Sequence, residues 1–421
     1  MSLRHTLSTF LAVVLLLPAT VAPAQNPFLQ NRGERRVERV EFRGNEVTRD
    51  YVLRRTLGIE AGDEYDPELV GEGWERLEAL AFIAYAEIET VRPDPTRVEL
   101  IVHVEEDDRF RWAPGLEYSR RYGESFLGTL RVGWMNLSGR AESLDVELSA
   151  WSRRGARVVW QNPWILGPAR LGVFAAAHWQ RHEWEYDLAA IDPSDEFTDW
   201  GARAGVWRSF DPWVTLRAQA GWSELELEGA GIVHDPEVAL ELIHDTRDVR
   251  YYPGTGLHGR AELLFGGLDD GIDDYTIASV SLSGFRTLPV VGTVLAVNGA
   301  FRTANTALPF YRKNYQGGPM TLRGLDFGSI VGDDAWRASI ELRRPLLLLP
   351  LRDGRTIGVG VHAFHDRGTS WAHDADLDAQ EVRFGSGLGL HFNFNTRNFR
   401  FEWARTDDGE DVFVFEDTFT F

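Results

Sequence analysis

Alternation of apolar and polar residues along many short segments is the feature that most constrains the fold of this chain. In 257–263, Leu, Gly and Ala occupy the odd positions, while His, Arg and Glu occupy the even ones. The same period of two recurs in 144–149, 214–219 and 399–403. A strand of about ten residues with one face in lipid and one in water must alternate in this way. The pattern therefore predicts a mainly β protein, most of which is an antiparallel transmembrane β-barrel.

The number of strands follows from a count and from parity. Seventeen alternating segments can be counted over 109–421, and we interpret them as sixteen strands. An antiparallel barrel that begins and ends on one side of the membrane needs an even number of strands, so the weakest segment, 183–192, is merged with the strand that starts near Arg170. Charges gather on one face of many strands. Each would cost about 2–4 kcal/mol facing lipid at mid-depth, so we expect a polar lumen.

The N-terminus has the features of a secretory signal peptide. An apolar run over 10–17 follows basic residues, and the small residues 22–24 suit cleavage before Gln25. The run is too short to cross a bilayer core of roughly 30 Å as a helix. We expect residues 1–24 to be the signal peptide and residues 25–33 to be a short linker.

Composition excludes several classes of partner and site. The formal net charge of -20 and the absence of a basic stripe argue against a nucleic-acid partner, and acidic barrel loops explain the charge. With no cysteine, the chain has neither a disulfide framework nor a thiolate metal site. The 15 Trp and 24 Phe residues suit the aromatic girdles of a membrane barrel.

Residues 34–107 follow a different pattern, in which three strand segments combine with two helical ones. The predicted strands are 37–42, 83–91 and 97–105. Thr48 is predicted to cap a first helix that runs to about Arg55. Asp66 is predicted to cap a second helix with Pro67 as its first residue. The predicted order is β-α-α-β-β.

This order resembles that of a POTRA domain, with Gly44-Asn45 after the first strand and the segment 62–66 before the second helix. The resemblance implies a periplasmic domain that offers a strand edge to incoming polypeptides, which is recognition by β-augmentation. A small domain that only separates the barrel from another component is the alternative.

The longest predicted loop runs from about Thr303 to Asp334 and is rich in glycine. An insertion of this length in an otherwise economical barrel is usually functional. The loop contains Arg323-Gly324, and here the chain resembles the BamA/TamA family of outer-membrane assembly proteins. That family has an Arg-Gly pair in the loop between the eleventh and twelfth strands, which folds back into the lumen. Further segments that resemble the family are 245–248, 252–256, 331–345 and 364–371.

The resemblance implies that an acidic residue on the twelfth strand and an aromatic and an acidic residue on the thirteenth hold the loop arginine. At the matching positions these are Glu341, Phe364 and Asp366. Alternation also leaves these three side chains on the polar face. A guanidinium can form two hydrogen bonds to a carboxylate while stacking on a ring, which lysine cannot do. In the alternative, Arg323 belongs to a solvated network of lumenal arginines.

The two ends of the barrel sequence predict a weak seam. Phe415, Phe419 and Phe421 resemble the C-terminal signal that barrel assembly machinery recognises. The first strand contains Pro114 and Gly115, and proline weakens a strand ladder because it has no N–H donor. A barrel closes by pairing its first and last strands, so we hypothesise that this seam opens sideways to an incoming strand.

No enzymatic motif stands out in the sequence. A nucleophile elbow, a zinc-binding helix and a Walker loop are all missing, and the glycines of 385–389 lie in an alternating strand where small residues ease packing. We therefore expect no catalytic residue, cofactor or metal.

The resemblance implies an outer-membrane factor that inserts or translocates polypeptide. Its expected partners are outer-membrane lipid and an unfolded or exported polypeptide client, with periplasmic chaperones or helper lipoproteins as further candidates. Two alternatives stay open: a passive channel or surface antigen, and a dedicated secretion pore. Assembly proteins of this family usually carry several POTRA domains, and secretion pores usually carry two together with a plug helix, for which residues 25–33 are too short.

Overall fold

The computed structural model describes residues 35–416 apart from short segments. These segments are 120–124, 152, 166–170, 184–195, 211–212, 228–230, 250–251, 270–271, 291, 327, 351–355 and 395–396. The predicted signal peptide, the linker, Phe419 and Phe421 lie outside the described residues. Within the described part, no helix is both long enough and apolar enough to cross a membrane.

The N-terminal domain is a three-stranded sheet covered by two helices. Its elements are β1 (Arg36–Arg43), α1 (Asp50–Leu57), α2 (Pro67–Glu78), β2 (Ile83–Val91) and β3 (Arg97–Glu106). The sheet order is β1-β3-β2, with β1 parallel and β2 antiparallel to β3. Leu53, Leu57, Leu77 and Leu100 are fully buried between the helices and the sheet. The predicted β-α-α-β-β order is confirmed.

One helix cap is as predicted and the other is not. The Asp66 side chain accepts a hydrogen bond from the backbone N–H of Glu68 at 2.9 Å and caps α2. Thr48 does not cap α1, because its hydroxyl donates to the Glu106 carboxylate and accepts from the Asn136 amide instead. The prediction is wrong because these two partners lie far along the chain. Burial opposes ionisation of Glu106, but hydrogen bonds from Thr48 and Val47 hold its pKa below the ordinary value.

The rest of the chain forms one antiparallel sheet of sixteen strands, which confirms the predicted count. Its elements, with two short strands in a loop, are β4 (Phe110–Ser119), β5 (Ser125–Leu137), β6 (Glu142–Trp151), β7 (Arg153–Asn162), β8 (Leu171–Glu183), β9 (Glu196–Ser209), β10 (Val214–Leu227), β11 (Gly231–Asp245), β12 (Gly256–Gly266), β13 (Tyr275–Thr287), β14 (Val294–Ala304), β15 (Asn314–Gln316), β16 (Ile330–Gly332), β17 (Asp334–Pro350), β18 (Thr356–Trp371), β19 (Arg383–Phe394), β20 (Arg397–Thr406) and β21 (Asp411–Glu416). All except β15 and β16 belong to the large sheet, in which β4 and β21 are the end strands.

The two faces of the sheet differ as the alternation predicts. Large apolar side chains are exposed on one face, including Leu282, Ile340, Leu342, Leu388 and Phe401. Their chain neighbours are buried on the other face, including Ser283, Glu341, Arg343 and Glu402. An exposed apolar face is what a lipid-facing surface requires, and the charged face is the one expected to line the lumen.

The N-terminal domain contacts the end of β5 and the turn that joins β5 to β6. The Asn136 amide donates to the Thr48 hydroxyl at 2.8 Å, and the backbone N–H of Arg49 donates to the Gly139 carbonyl at 3.0 Å. Gly139 has a φ of +73°, and a Cβ at this position would overlap the Val47 carbonyl. The domain therefore sits directly on a turn at one end of the barrel strands.

A second contact fixes the same domain to the turn after β7. The Arg55 guanidinium lies 4.8 Å from the centroid of the Trp164 ring and donates to the Trp164 carbonyl at 3.0 Å. Two turns at the same end of the sheet thus hold the domain, which restricts its rotation.

We expect Asn136→Ala to loosen the junction between the two domains. The substitution removes two hydrogen bonds, one to Thr48 and one from the Ala141 N–H at 2.8 Å. Each such bond contributes about 1 kcal/mol, so hydrogen exchange over 45–57 should become several-fold faster. Ser138→Ala is the matched control, because Ser138 lies two residues further along the chain with a similar positive φ and its hydroxyl donates to Glu142 at 3.2 Å. Equal exchange in the two variants would contradict the assignment.

Candidate functional site

The loop between β14 and β17 turns back into the lumen. It lies between the eleventh and twelfth strands of the large sheet, as predicted from the sequence. Residues 317–326, here called the docked segment, form its inner part. Gly317, Gly318 and Gly324 have positive φ values of +112°, +83° and +93°, which only glycine adopts without strain. The backbone N–H of Gly318 closes the segment by donating to the Leu325 carbonyl at 2.7 Å.

Arg323 is the centre of the docked segment, and its side chain is 0% exposed. Its Nε and Nη2 donate to the two oxygens of Asp366 at 2.6 and 2.8 Å. Its Nη1 donates to Glu341 at 2.6 Å and to Glu402 at 3.1 Å. The guanidinium carbon lies 3.7 Å from the centroid of the Phe364 ring. The structure thus brings Glu341, Phe364 and Asp366 together around the loop arginine.

Asp366 also holds the backbone of the docked segment. The backbone N–H of Arg323 donates to Oδ2 at 3.1 Å, and the Ser339 hydroxyl donates to Oδ1 at 2.5 Å. One carboxylate therefore fixes both the main chain and the side chain of the loop arginine.

The charges around Arg323 are balanced. Arg343 donates to Glu341 at 2.6 Å and Arg400 donates to Glu402 at 3.0 Å. Together with Arg323 and Asp366 this makes three guanidinium groups and three carboxylates, all at most 2% exposed. Buried charges are tolerated when they are paired in this way. The network therefore depends on the loop arginine for its neutrality.

Glycines of β19 form the surface on which the docked segment rests. A Cβ at Gly385 would overlap the Arg323 carbonyl oxygen. A Cβ at Gly387 would lie 2.6 Å from the Phe364 ring, and one at Gly389 would overlap the His362 ring. These three glycines thus have a specific role. Because they have no side chains, the docked segment and the rings of Phe364 and His362 can approach the sheet closely.

A second arginine attaches the loop to β11. Arg312 contacts Asp235 and Glu237 of β11, with N–O distances of 2.6 Å in both pairs. The Tyr275 hydroxyl of β13 donates to the same Asp235 at 2.7 Å. The loop is therefore attached to β11 through Arg312 and to β17, β18 and β20 through Arg323.

Comparison with known protein families decides the assignment. Residues 136–421, more than half of the chain, match the model of the Omp85 superfamily domain. This chain belongs to the Omp85 superfamily. Residues 35–107 match the POTRA model, which is described as a surface antigen variable number repeat. The Omp85 chain is an outer-membrane assembly or translocation factor that acts on polypeptide, with its POTRA domain in the periplasm.

Solved structures with the same fold share little sequence with this Omp85 chain. BamA from Haemophilus ducreyi lacking POTRA domains 1-3 is 17% identical with a TM-score of 0.67, covering 91% of this chain and 84% of that one. CdiB from Escherichia coli is 14% identical with a TM-score of 0.68, covering 91% and 76%. CdiB from Acinetobacter baumannii is 16% identical with a TM-score of 0.65, covering 91% and 73%. These similarities establish the fold alone.

The predicted seam residues of the Omp85 domain lie on the end strands. Pro114 and Gly115 are in β4, opposite Leu130 and Thr129 of β5. Phe415 is in β21, with its ring centroid 4.8 Å from that of Phe401. Within the described residues, which stop at Glu416 in β21, no ladder joins β21 to β4.

Several residues of the network are not predicted from the sequence. These are Ser339, Arg343, His362, His391, Arg400 and Glu402. The alternation of Arg400 and Glu402 with Phe399 and Phe401 already places both charges on the lumenal face. What the sequence does not give is the register, which sets His391 opposite Arg400 and His362 opposite Arg343.

Proposed function

We propose that this Omp85 protein inserts polypeptide into the outer membrane, or passes it through, at a seam between β4 and β21, with the docked segment as the internal brace. The observation that carries the proposal is the buried network around Arg323. A loop held by six hydrogen bonds from one arginine is fixed in place and occupies the lumen. It therefore restricts simple diffusion and stiffens the wall.

The position of the network supports a role next to the seam. Glu402 of β20 contacts Arg323 and lies opposite Val414 of β21, the last described strand. The brace is thus one strand away from the end of the sheet. On the other side of the seam, β4 carries Pro114, which cannot donate a ladder hydrogen bond. The proposed opening lies between a braced strand pair and a weakened one.

The POTRA domain supplies a second element of the proposal. In its sheet order, β1 and β2 are the edge strands. An extended client segment can add to such an edge through main-chain hydrogen bonds. The contacts of Thr48 and Arg55 with the barrel turns would then hold the client near the periplasmic mouth.

The mechanism that we propose uses no catalytic residue, cofactor or metal. Energy for insertion would come from burial of the client's apolar strand faces in lipid and from completion of its own strand ladder. A dedicated secretion pore is the competing function, and only an insertase would place an unfolded barrel client in the membrane.

We predict that a covalent lock between β4 and β21 abolishes insertion. The chain has no cysteine, so a pair of engineered cysteines, one on each strand, is the only pair able to form a disulfide. Pairs are scanned along the strands, and those that oxidise are assayed for insertion of a small unfolded barrel protein into liposomes. The reduced form of the same pair is the matched control. Full activity of the oxidised form would overturn the lateral opening, although not the role of the loop.

A further inference from the structure

A chain of hydrogen bonds leads from the loop arginine to the opposite end of the barrel. His362 Nε2 lies 2.8 Å from Glu402 Oε1, the same oxygen that receives Arg323 and Arg400. His362 Nδ1 lies 3.2 Å from His391 Nδ1. His391 Nε2 lies 3.1 Å from the Tyr252 hydroxyl. The two histidines are 3% and 1% exposed, so both rings are buried within the protein.

Tyr252 belongs to the turn between β11 and β12, described over residues 246–249 and 252–255. The strands alternate in direction, so β5, β7, β9 and β11 all end on the same side of the sheet. The turns after β5 and β7 contact the POTRA domain, which places the β11–β12 turn at the periplasmic end. The docked segment belongs to a loop at the other end. The hydrogen bonds therefore connect a periplasmic turn with an extracellular loop.

When both histidines are neutral, the proton positions along this series of hydrogen bonds follow from Glu402, its last member. Glu402 is a carboxylate paired with two guanidinium groups, so it accepts a hydrogen bond and His362 Nε2 donates. A neutral His362 then has Nδ1 as an acceptor, which requires His391 Nδ1 to donate. His391 Nε2 is left to accept from the Tyr252 hydroxyl. The donor and the acceptor of each hydrogen bond are thus fixed. If Tyr252 is displaced, His391 Nε2 loses the hydroxyl that donates to it.

The sheet is built to admit the two rings. A Cβ at Gly360 would overlap the His391 ring, and a Cβ at Gly389 would overlap the His362 ring. Both glycines allow the imidazoles to lie against the strands, in line with each other. The charged groups around the pair are Glu341 and Arg343 of β17, Arg400 and Glu402 of β20, and Arg323 of the loop.

We propose that Tyr252, His391 and His362 form a relay that couples the periplasmic β11–β12 turn to Arg323. The three residues are positioning residues: when the turn keeps Tyr252 in place, the histidines hold Glu402 toward the loop arginine. When the turn moves, Glu402 loses that support and the docked segment loosens. The relay gives the periplasmic side a direct influence on the brace, and it does not require the protein to be an insertase.

Hydrogen exchange measured by mass spectrometry on the full chain in lipid nanodiscs tests the relay. Tyr252→Phe keeps the ring and removes only the hydroxyl. It should accelerate exchange over 317–326 roughly five-fold, the ratio for one hydrogen bond of about 1 kcal/mol. Tyr51→Phe is the matched control, because Tyr51 is a half-exposed residue of α1 in the POTRA domain, and it should leave this exchange unchanged.

Coupling is reciprocal, so the relay makes a second requirement. Arg323→Ala must accelerate exchange over 246–255, at the far end of the chain of hydrogen bonds. The double variant Tyr252→Phe/His391→Phe must exchange over 317–326 as fast as His391→Phe alone, because both substitutions break one path. Faster exchange confined to 246–255 in Tyr252→Phe would overturn the relay. Additive increases in the exchange rate over 317–326 in the double variant would also overturn it. Unchanged exchange over 246–255 in Arg323→Ala would overturn it as well.

Discussion

Arg323→Ala should release the loop and lower the stability of the barrel. The change leaves Asp366 without the guanidinium that binds both of its oxygens, while Glu341 and Glu402 keep Arg343 and Arg400. Removing one partner of a buried charge pair typically costs about 3–5 kcal/mol. The unfolding midpoint in denaturant should fall, and the docked segment should become sensitive to protease added from outside.

Two further variants separate the geometry of this contact from its charge. Arg323→Lys keeps the charge but cannot reach Asp366, Glu341 and the Phe364 face together, so it should resemble Arg323→Ala in protease sensitivity. Adding Asp366→Asn to Arg323→Ala removes the unpaired charge and should restore part of the stability without docking the loop. A wild-type midpoint for Arg323→Ala would contradict the network described here.

Gly385→Val should displace the docked segment without touching any charge. A Cβ at this position overlaps the carbonyl oxygen of Arg323, a backbone atom that cannot rotate away. Either the loop moves or β19 distorts, and overpacking of this kind costs about 1–3 kcal/mol. The loop should become protease-sensitive, as in Arg323→Ala, although no charged residue is replaced.

Gly299→Val is the matched control for this substitution. Gly299 also lies within a barrel strand, β14, but a Cβ there has no atom within 4 Å. The control should therefore keep the loop protected. If Gly385→Val also leaves the loop protected, the close approach of the loop to β19 is not what holds it.

The fold was largely predictable because membrane strands repeat a simple physical rule. Lipid on one side and water on the other force a period of two, so strand count and lumenal faces follow from the sequence alone. Glu341, Phe364 and Asp366 were found because a resemblance named their positions and alternation placed them on the polar face. The loop arginine itself gives no signal from composition or periodicity.

Residues whose roles depend on register or on distant partners could not be predicted. Glu402 and His391 lie on strands that the alternation identifies. Only the register between β18, β19 and β20 places both of them against His362. Thr48 stands where the sequence predicts a helix cap, yet its hydroxyl binds Glu106 and Asn136. The glycines at 385 and 389 look like ordinary strand glycines until the loop and the rings above them are seen.

The most direct test of the proposed function is the rate at which a small unfolded barrel protein inserts into liposomes that contain this protein. Wild-type protein and Arg323→Ala are compared, both shown to be folded by heat-modifiable mobility, with empty liposomes as the baseline. We predict acceleration by the wild type and its loss in Arg323→Ala. Insertion at the baseline rate with folded wild-type protein would contradict the proposed insertion and favour a dedicated secretion pore.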